Sequence, residues 1–187
     1  MGCGAGDAEQ YISATTSEIV GVDISNFMLS MAKKNVPSKL HLVRGDCGKL
    51  PFKKDTFDMS FSLSLFHHLS SQKRLKVLME IIRVTKLGGL IINFEHNPFN
   101  PVTRFLVKKS IIDENAELLA PNELLALYKE CGIRRIKMKY VVFFPEFLSP
   151  LCHLERFLYD FPIGGQYAVL GVKAAEHSEV PTYIRGR

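Results

Sequence analysis

Three glycines spaced two apart, Gly2, Gly4 and Gly6, open the chain; acids follow at Asp23 and Asp46 and a histidine pair at His67 and His68. Alternate glycines permit a tight turn and a close backbone approach to a ligand. The dinucleotide pattern G-x-G-x-x-G needs its third glycine at position 7, which is Asp7, whereas G-x-G-x-G is satisfied. An acid there repels a pyrophosphate, so a ligand without phosphates is preferred and nicotinamide-dependent oxidoreduction is the weaker reading. Asp23 falls about 20 residues after the loop, where an acid accepts hydrogen bonds from the two hydroxyls of a ribose. Asp46 is placed to take the exocyclic amine of an adenine, with the Cys47 backbone N–H beside it for a ring nitrogen. His67, His68, Glu95 and His96 are the groups able to meet a second substrate, and one histidine could orient or deprotonate a nucleophile. The competing readings are a cap or a packed ring for the histidines, and an ordinary turn for 95–98.

These groups need strand ends to hold them. The runs 18–23 and 40–46 read as β-strands with a helical segment, 25–35, between them. A buried strand follows at 56–64, then a helix with Ser70 and Ser71 as caps and Leu75, Leu78, Met79 and Ile82 on one face, stopped by Gly88 and Gly89. The apolar run 90–95 suits a parallel strand covered on both faces. Residues 97–121 break the pattern and read as an inserted helical or loop region. Pro121 sits as a first helical residue, Leu124, Leu125, Tyr128 and Cys131 form a stripe, and Gly132 ends the helix. Strands at 134–144 and 166–174 close the sheet, the Phe- and Leu-rich stretch 145–162 between them reads as helical, and 176–187 as a flexible tail. The repeated alternation predicts one α/β domain over residues 1–175. Within it, Phe143–Phe161 is read first as core packing, with an apolar acceptor pocket or lipid-facing patch as the rival.

The 187 residues are 47% hydrophobic and 23% charged, an ordinary globular balance that argues against disorder. The net charge of +5 is scattered rather than gathered in one basic run, so nucleic-acid binding is disfavoured. Cys3, Cys47, Cys131 and Cys152 form no Cys-x-x-Cys pair, which points away from a zinc cluster or disulfide framework and toward a reducing cytoplasm. No apolar run is long enough to span a bilayer, and no secretory signal is visible at the start.

Taken together, "GCGAG" (2–6), "IVGVDIS" (19–25), "VRGDCGKLPFKKDTFDMSFSLSLFHHL" (43–69) and "IIRVTKLGGLIINFE" (81–95) resemble the class I S-adenosylmethionine-dependent methyltransferases. The segment "GDCGKLPF" (45–52) and the helix "PNELLALYKECGI" (121–133) look most like the branch containing the ubiquinone and menaquinone biosynthesis enzymes. The resemblance implies a Rossmann-like methyltransferase sandwich, mostly parallel with an antiparallel last strand. It implies S-adenosyl-L-methionine as cofactor: Gly2, Cys3, Gly4, Ala5 and Gly6 along its methionine part, Asp23 on the ribose, and Ile24 and Met28 against the adenine. Asp46 and Cys47 would bind the adenine edge, and Ser62 and Leu63 would line the sulfonium side. Methyl transfer from a sulfonium needs no metal and little acid–base work, since the leaving group is already activated. The implied activity is transfer to an oxygen or carbon of a small molecule, with His67 or His96 as base.

Three departures are visible. "SLSL" (62–65) replaces the Asn/Asp-Pro-Pro-aromatic motif, which argues against the adenine and glutamine-amide N-methyltransferases of the class. Leu87 stands where the family usually has Pro. The acid before the glycines and the first strand are missing; in the family that strand lies centrally, between those ending at Asp23 and near Ser62. The alternative to an enzyme is therefore a non-catalytic or fragmentary methyltransferase-fold protein acting as a partner subunit.

Overall fold

The computed structural model describes residues 1–6, 18–35, 40–110, 113, 116–144 and 146–174. β-Branched residues make β1 (Ile19–Asp23), which pairs in parallel with β2 (Leu40–Arg44), Ile19 opposite Leu40 and Asp23 opposite Arg44. The helix α1 (Asn26–Asn35) connects them, its first turn capped where Ser25 Oγ accepts from the Met28 N–H at 3.3 Å. A second β-α-β unit follows: β3 (Phe57–Leu63), α2 (Ser71–Val84) and β4 (Thr85–His96), with Met59 opposite Leu90 and Leu63 opposite Phe94. Then come α3 (Pro101–Lys109), α4 (Pro121–Glu130), β5 (Arg134–Val141), a 3-10 stretch at Glu146–Phe157 and β6 (Gln166–Val172).

The strands form two sheets, β1-β2 and β3-β4-β6-β5, with β6 antiparallel to both neighbours. Among the described residues no strand lies between β1 and β3. Instead Met1–Cys3 bridges them: the Met1 ammonium donates to the Phe61 carbonyl at 2.7 Å, and the Cys3 N–H to the Val22 carbonyl at 3.0 Å. The glycine loop thus starts between β1 and β3. No helix among the described residues is long and apolar enough to cross a membrane.

Three expectations are corrected. The buried stripe of α2 is Arg74, Val77, Leu78, Ile81 and Val84, while Met79 is exposed. The stripe is helical in period, but it contains an arginine, which a search for apolar residues passes over. Arg74 is buried because its guanidinium donates to the carbonyls of Phe66 (3.1 Å) and Glu117 (2.9 Å). Gly88 and Gly89 do not stop this helix. It ends at Val84, and β4 starts at Thr85 and runs through both glycines. A Cβ on Gly89 would lie 2.8 Å from the carbonyl oxygens of Asp58 and Lys86. Finally, the stretch read as core packing presents Leu151, Leu154, Phe157 and Phe161 to solvent, and among its described residues Phe143 alone packs against the core.

The main core lies where α2 and α4 meet the larger sheet, with Leu78, Ile81, Ile91, Leu124, Tyr128, Tyr167 and Val169 buried. Beneath it, the Tyr128 hydroxyl donates to Asn93 Oδ1, and Asn93 Nδ2 donates to the Ser62 hydroxyl. Gly171 lies against α4 and Ile133, and a Cβ there would fall 2.2 Å from Ile133 Cγ2. Gly171→Ala is therefore expected to lower stability by about 1–3 kcal/mol, read as a reduced urea midpoint at unchanged slope.

One ion pair predicts an acid response. Glu80 accepts from Arg83 Nε (2.7 Å) and from the Leu50 N–H (2.9 Å), while Arg83 also donates to the Phe52 carbonyl (2.8 Å). The Arg83 hydrogen bond holds the Glu80 carboxyl below its usual range, against a smaller opposing effect of burial. The unfolded chain titrates near about 4.3, so the stabilisation is complete above that pH and disappears as pH falls through the lower folded value. Urea midpoints measured from pH 6 to 3 should fall less steeply in Glu80→Gln than in the parent.

Candidate cofactor site and adjoining histidine cluster

The loop Gly2–Gly6 runs with positive φ at each of its glycines, +61° at Gly2, +51° at Gly4 and +86° at Gly6. Only glycine adopts three such angles in succession without strain. At Gly2 the space is also taken: a Cβ would lie 3.0 Å from Leu65 Cδ1. The loop is tied to the end of β1, where Asp23 Oδ2 accepts from the Gly4 N–H at 2.9 Å and Oδ1 from the Ser25 N–H at 2.9 Å. At the end of β2, Asp46 Oδ1 accepts from the Gly48 N–H at 2.8 Å, which fixes the turn carrying Cys47. Burial pushes the Cys47 thiol up, outweighing the N-terminal ammonium and the Gly2 backbone, so it stays protonated near neutral pH.

Gly2, Asp23, Ile24, Asp46, Cys47 and Leu65 converge on one cavity of about 270 Å³, which Lys73, Lys76 and Val77 of α2 complete. The structure therefore brings together five of the residues expected to hold the cofactor. Cys3 is buried beneath the loop, Ala5 accepts from Asn35, and Gly4, Gly6, Met28 and Leu63 lie outside this wall. Ser62 is fully buried, its hydroxyl held by Asn93 rather than turned to the cavity. The α2 lysines were missed in the sequence; their i, i+3 spacing on the first turns of a helix facing the loop was the available signal.

The cavity suits a nucleoside with a charged tail. Among the described residues, each Asp23 oxygen has one backbone donor and keeps a lone pair for a hydroxyl, Asp46 keeps one free oxygen, and Ile24 offers an exposed apolar wall.

Beyond Leu65 a short 3-10 turn, Phe66–His68, carries the histidines. Glu95, at the end of β4, is fully buried: Oε1 accepts from the N–H groups of Leu65 (3.0 Å) and Phe66 (2.7 Å), and Oε2 lies 2.7 Å from His67 Nδ1. Glu95, read from sequence as able to meet substrate, instead holds this turn in place. His67 is itself buried, and its Nε2 lies 3.3 Å from Asp113 Oδ1; His68 Nε2 lies 3.4 Å from the same oxygen. Burial lowers the His67 pKa, but the hydrogen bonds and charges of Glu95 and Asp113 outweigh it, so the net shift is upward. His68 and His96 shift down, through burial first and the neighbouring His67 second. The His96 ring lies 4.9 Å from that of His67, and neither of its nitrogens has a hydrogen-bond partner among the described residues. Asp113 went unnoticed in the sequence because its stretch has no periodicity.

A glycine loop and two acids at successive strand ends of an α/β sandwich define a nucleoside-cofactor fold of the methyltransferase type. The family model described as "Methyltransferase domain" matches residues 1–93. The demethylmenaquinone methyltransferase of Bacillus licheniformis is 30% identical over 165 residues, covering 72% of this chain and 69% of that protein. The sterol 24-C-methyltransferase of Pneumocystis carinii is 34% identical over 101 residues, 51% of this chain but only 26% of the relative's length. The crystal structure of an S-adenosylmethionine-dependent methyltransferase from Thermotoga maritima shares the fold, with TM-score 0.71 and 19% identity over 92% of this chain and 79% of that one. The chain belongs to the class I S-adenosylmethionine-dependent methyltransferases.

Proposed function

We propose that residues 1–175 act as one domain that moves a methyl group from S-adenosylmethionine to an oxygen or carbon of a small molecule. The observation carrying this is the convergence of Gly2, Asp23, Ile24, Asp46 and Cys47, from three separate chain segments, on one cavity. Asp23 would hold the ribose hydroxyls, Ile24 would pack on the adenine, Asp46 and the Cys47 N–H would take its edge, and Gly2–Gly6 would lie along the amino-acid part. Bound there, the cofactor supplies a methyl group already activated by its sulfonium. The chain's own contribution is to hold the acceptor in line and to exclude water, with little acid–base chemistry. His96 is the base we assign, because its ring nitrogens are free among the described residues whereas both nitrogens of His67 face carboxylates. The menaquinone and sterol relatives act on large apolar molecules by their names. The exposed Phe157, Phe161 and Ile163 supply an apolar face that fits such an acceptor. Four free cysteines support a reducing, cytoplasmic setting.

Calorimetric titration of the folded chain with S-adenosylhomocysteine tests the reading. One site per chain is expected, and a folded protein that takes up none overturns it.

A further inference from the structure

We propose that His67, His68 and Asp113 form a binding site for a divalent transition-metal ion of the zinc type, separate from the cofactor cavity. Each of the three side chains offers one ligand atom, a ring nitrogen from each histidine and a carboxylate oxygen from Asp113, all within 4.8 Å of one another. Their N···O separations are 3.3 Å and 3.4 Å. A tetrahedral ion with bonds of about 2.0–2.1 Å to nitrogen and oxygen requires ligand-to-ligand edges of about 3.3–3.4 Å, which the two histidine–Asp113 edges meet.

The hydrogen-bond geometry around His67 leaves a place for an ion. Glu95 accepts two backbone N–H groups through Oε1 and faces His67 Nδ1 through Oε2 at 2.7 Å. A carboxylate accepts only, so Nδ1 carries a proton and donates. In the neutral ring that leaves a lone pair on Nε2, aimed at a second acceptor, Asp113 Oδ1, at 3.3 Å. Two acceptors facing each other need a cation or a further proton between them. A buried carboxylate that sets the tautomer of a histidine from behind is the usual support of a metal-bound imidazole. Two histidines and one carboxylate leave a fourth position open. Asp113 also walls a cavity of about 490 Å³ with Arg104, Lys108 and Lys109, whose positive charges give an anionic oxygen a place beside the ion. The site departs from the metal-free chemistry that the family resemblance implies, and it stands or falls independently of methyl transfer.

The test uses the full chain, stripped of metal and titrated with Zn²⁺ by calorimetry, then with Co²⁺ followed by visible absorption. One ion per chain and the strong d–d bands of tetrahedral Co²⁺ are expected. His68→Ala and Asp113→Asn both alter exposed or half-buried groups and keep the fold, verified by circular dichroism; each should weaken Zn²⁺ binding about 100-fold or more. Glu95→Gln should weaken it about 10- to 100-fold through the tautomer alone. Absence of stoichiometric binding, or binding unchanged in both His68→Ala and Asp113→Asn, overturns the proposal. If NMR then shows His67 doubly protonated, with a pKa that falls in Asp113→Asn, a proton rather than an ion bridges the pair.

Discussion

Replacing Glu95 by alanine should cost about 3–5 kcal/mol of folding stability, the range for removing one partner from a buried charged cluster. The carboxylate is fully buried and answers three donors: the N–H groups of Leu65 and Phe66 and the Nδ1 of His67. Without it the two backbone groups are stranded away from water, each at a cost of about 1–3 kcal/mol, and His67 loses its anchor. In a chain of this length the melting temperature should fall by about 10 °C. Glu95→Gln keeps an oxygen for the two backbone donors and should lose less than half as much. Thermal and urea unfolding of the two variants beside the parent checks this; equal losses would mean that volume rather than hydrogen bonding holds the turn.

Asp23→Ala is expected to reduce affinity for S-adenosylhomocysteine by about a hundredfold or more. Its two oxygens hold the Gly4 and Ser25 N–H groups at 2.9 Å each, so the truncation frees the glycine loop as well as removing the acid. A hydrogen bond to a charged group contributes about 1.5–3 kcal/mol, and two of them exceed the free energy of a hundredfold change. Asp23 is partly exposed, so the melting temperature should move far less than in Glu95→Ala. Calorimetry separates the effects, and binding within a few-fold of the parent would remove Asp23 from the site.

Much of the architecture was legible because its signals are local. Glycine spacing, an acid closing a β-branched run and proline at the first turn of α4 each have a short-range cause, and each lies where expected. The convergence of Asp23 and Asp46 followed from parallel β-α-β order, which brings carboxyl ends of strands to one crevice. What stayed hidden depends on partners far along the chain. Arg74 reads as a surface residue until the carbonyls of Phe66 and Glu117 are placed beside it. Ser62 reads as a cavity residue until Asn93, 31 positions on, takes its hydroxyl inward. The role of Glu95 is of the same kind, since no sequence pattern announces that two backbone amides and an imidazole 28 residues earlier will meet it. The exposed residues between Leu151 and Phe161 show the converse, since apolar composition alone does not say whether a core exists to receive it. The expected tail, 176–187, lies outside the described residues.

The position of β6 sets an order of events during synthesis. It is the last strand among the described residues, yet it lies inside the larger sheet, antiparallel to β4 on one side and β5 on the other. As the ribosome delivers the chain, β3 and β4 can pair at once through α2, but β5 has no neighbour until residues 166–172 emerge. Until then the β4 edge that β6 will cover is open to pairing with another nascent chain. Completion of the larger sheet therefore waits on β6, because both β4 and β5 pair with it.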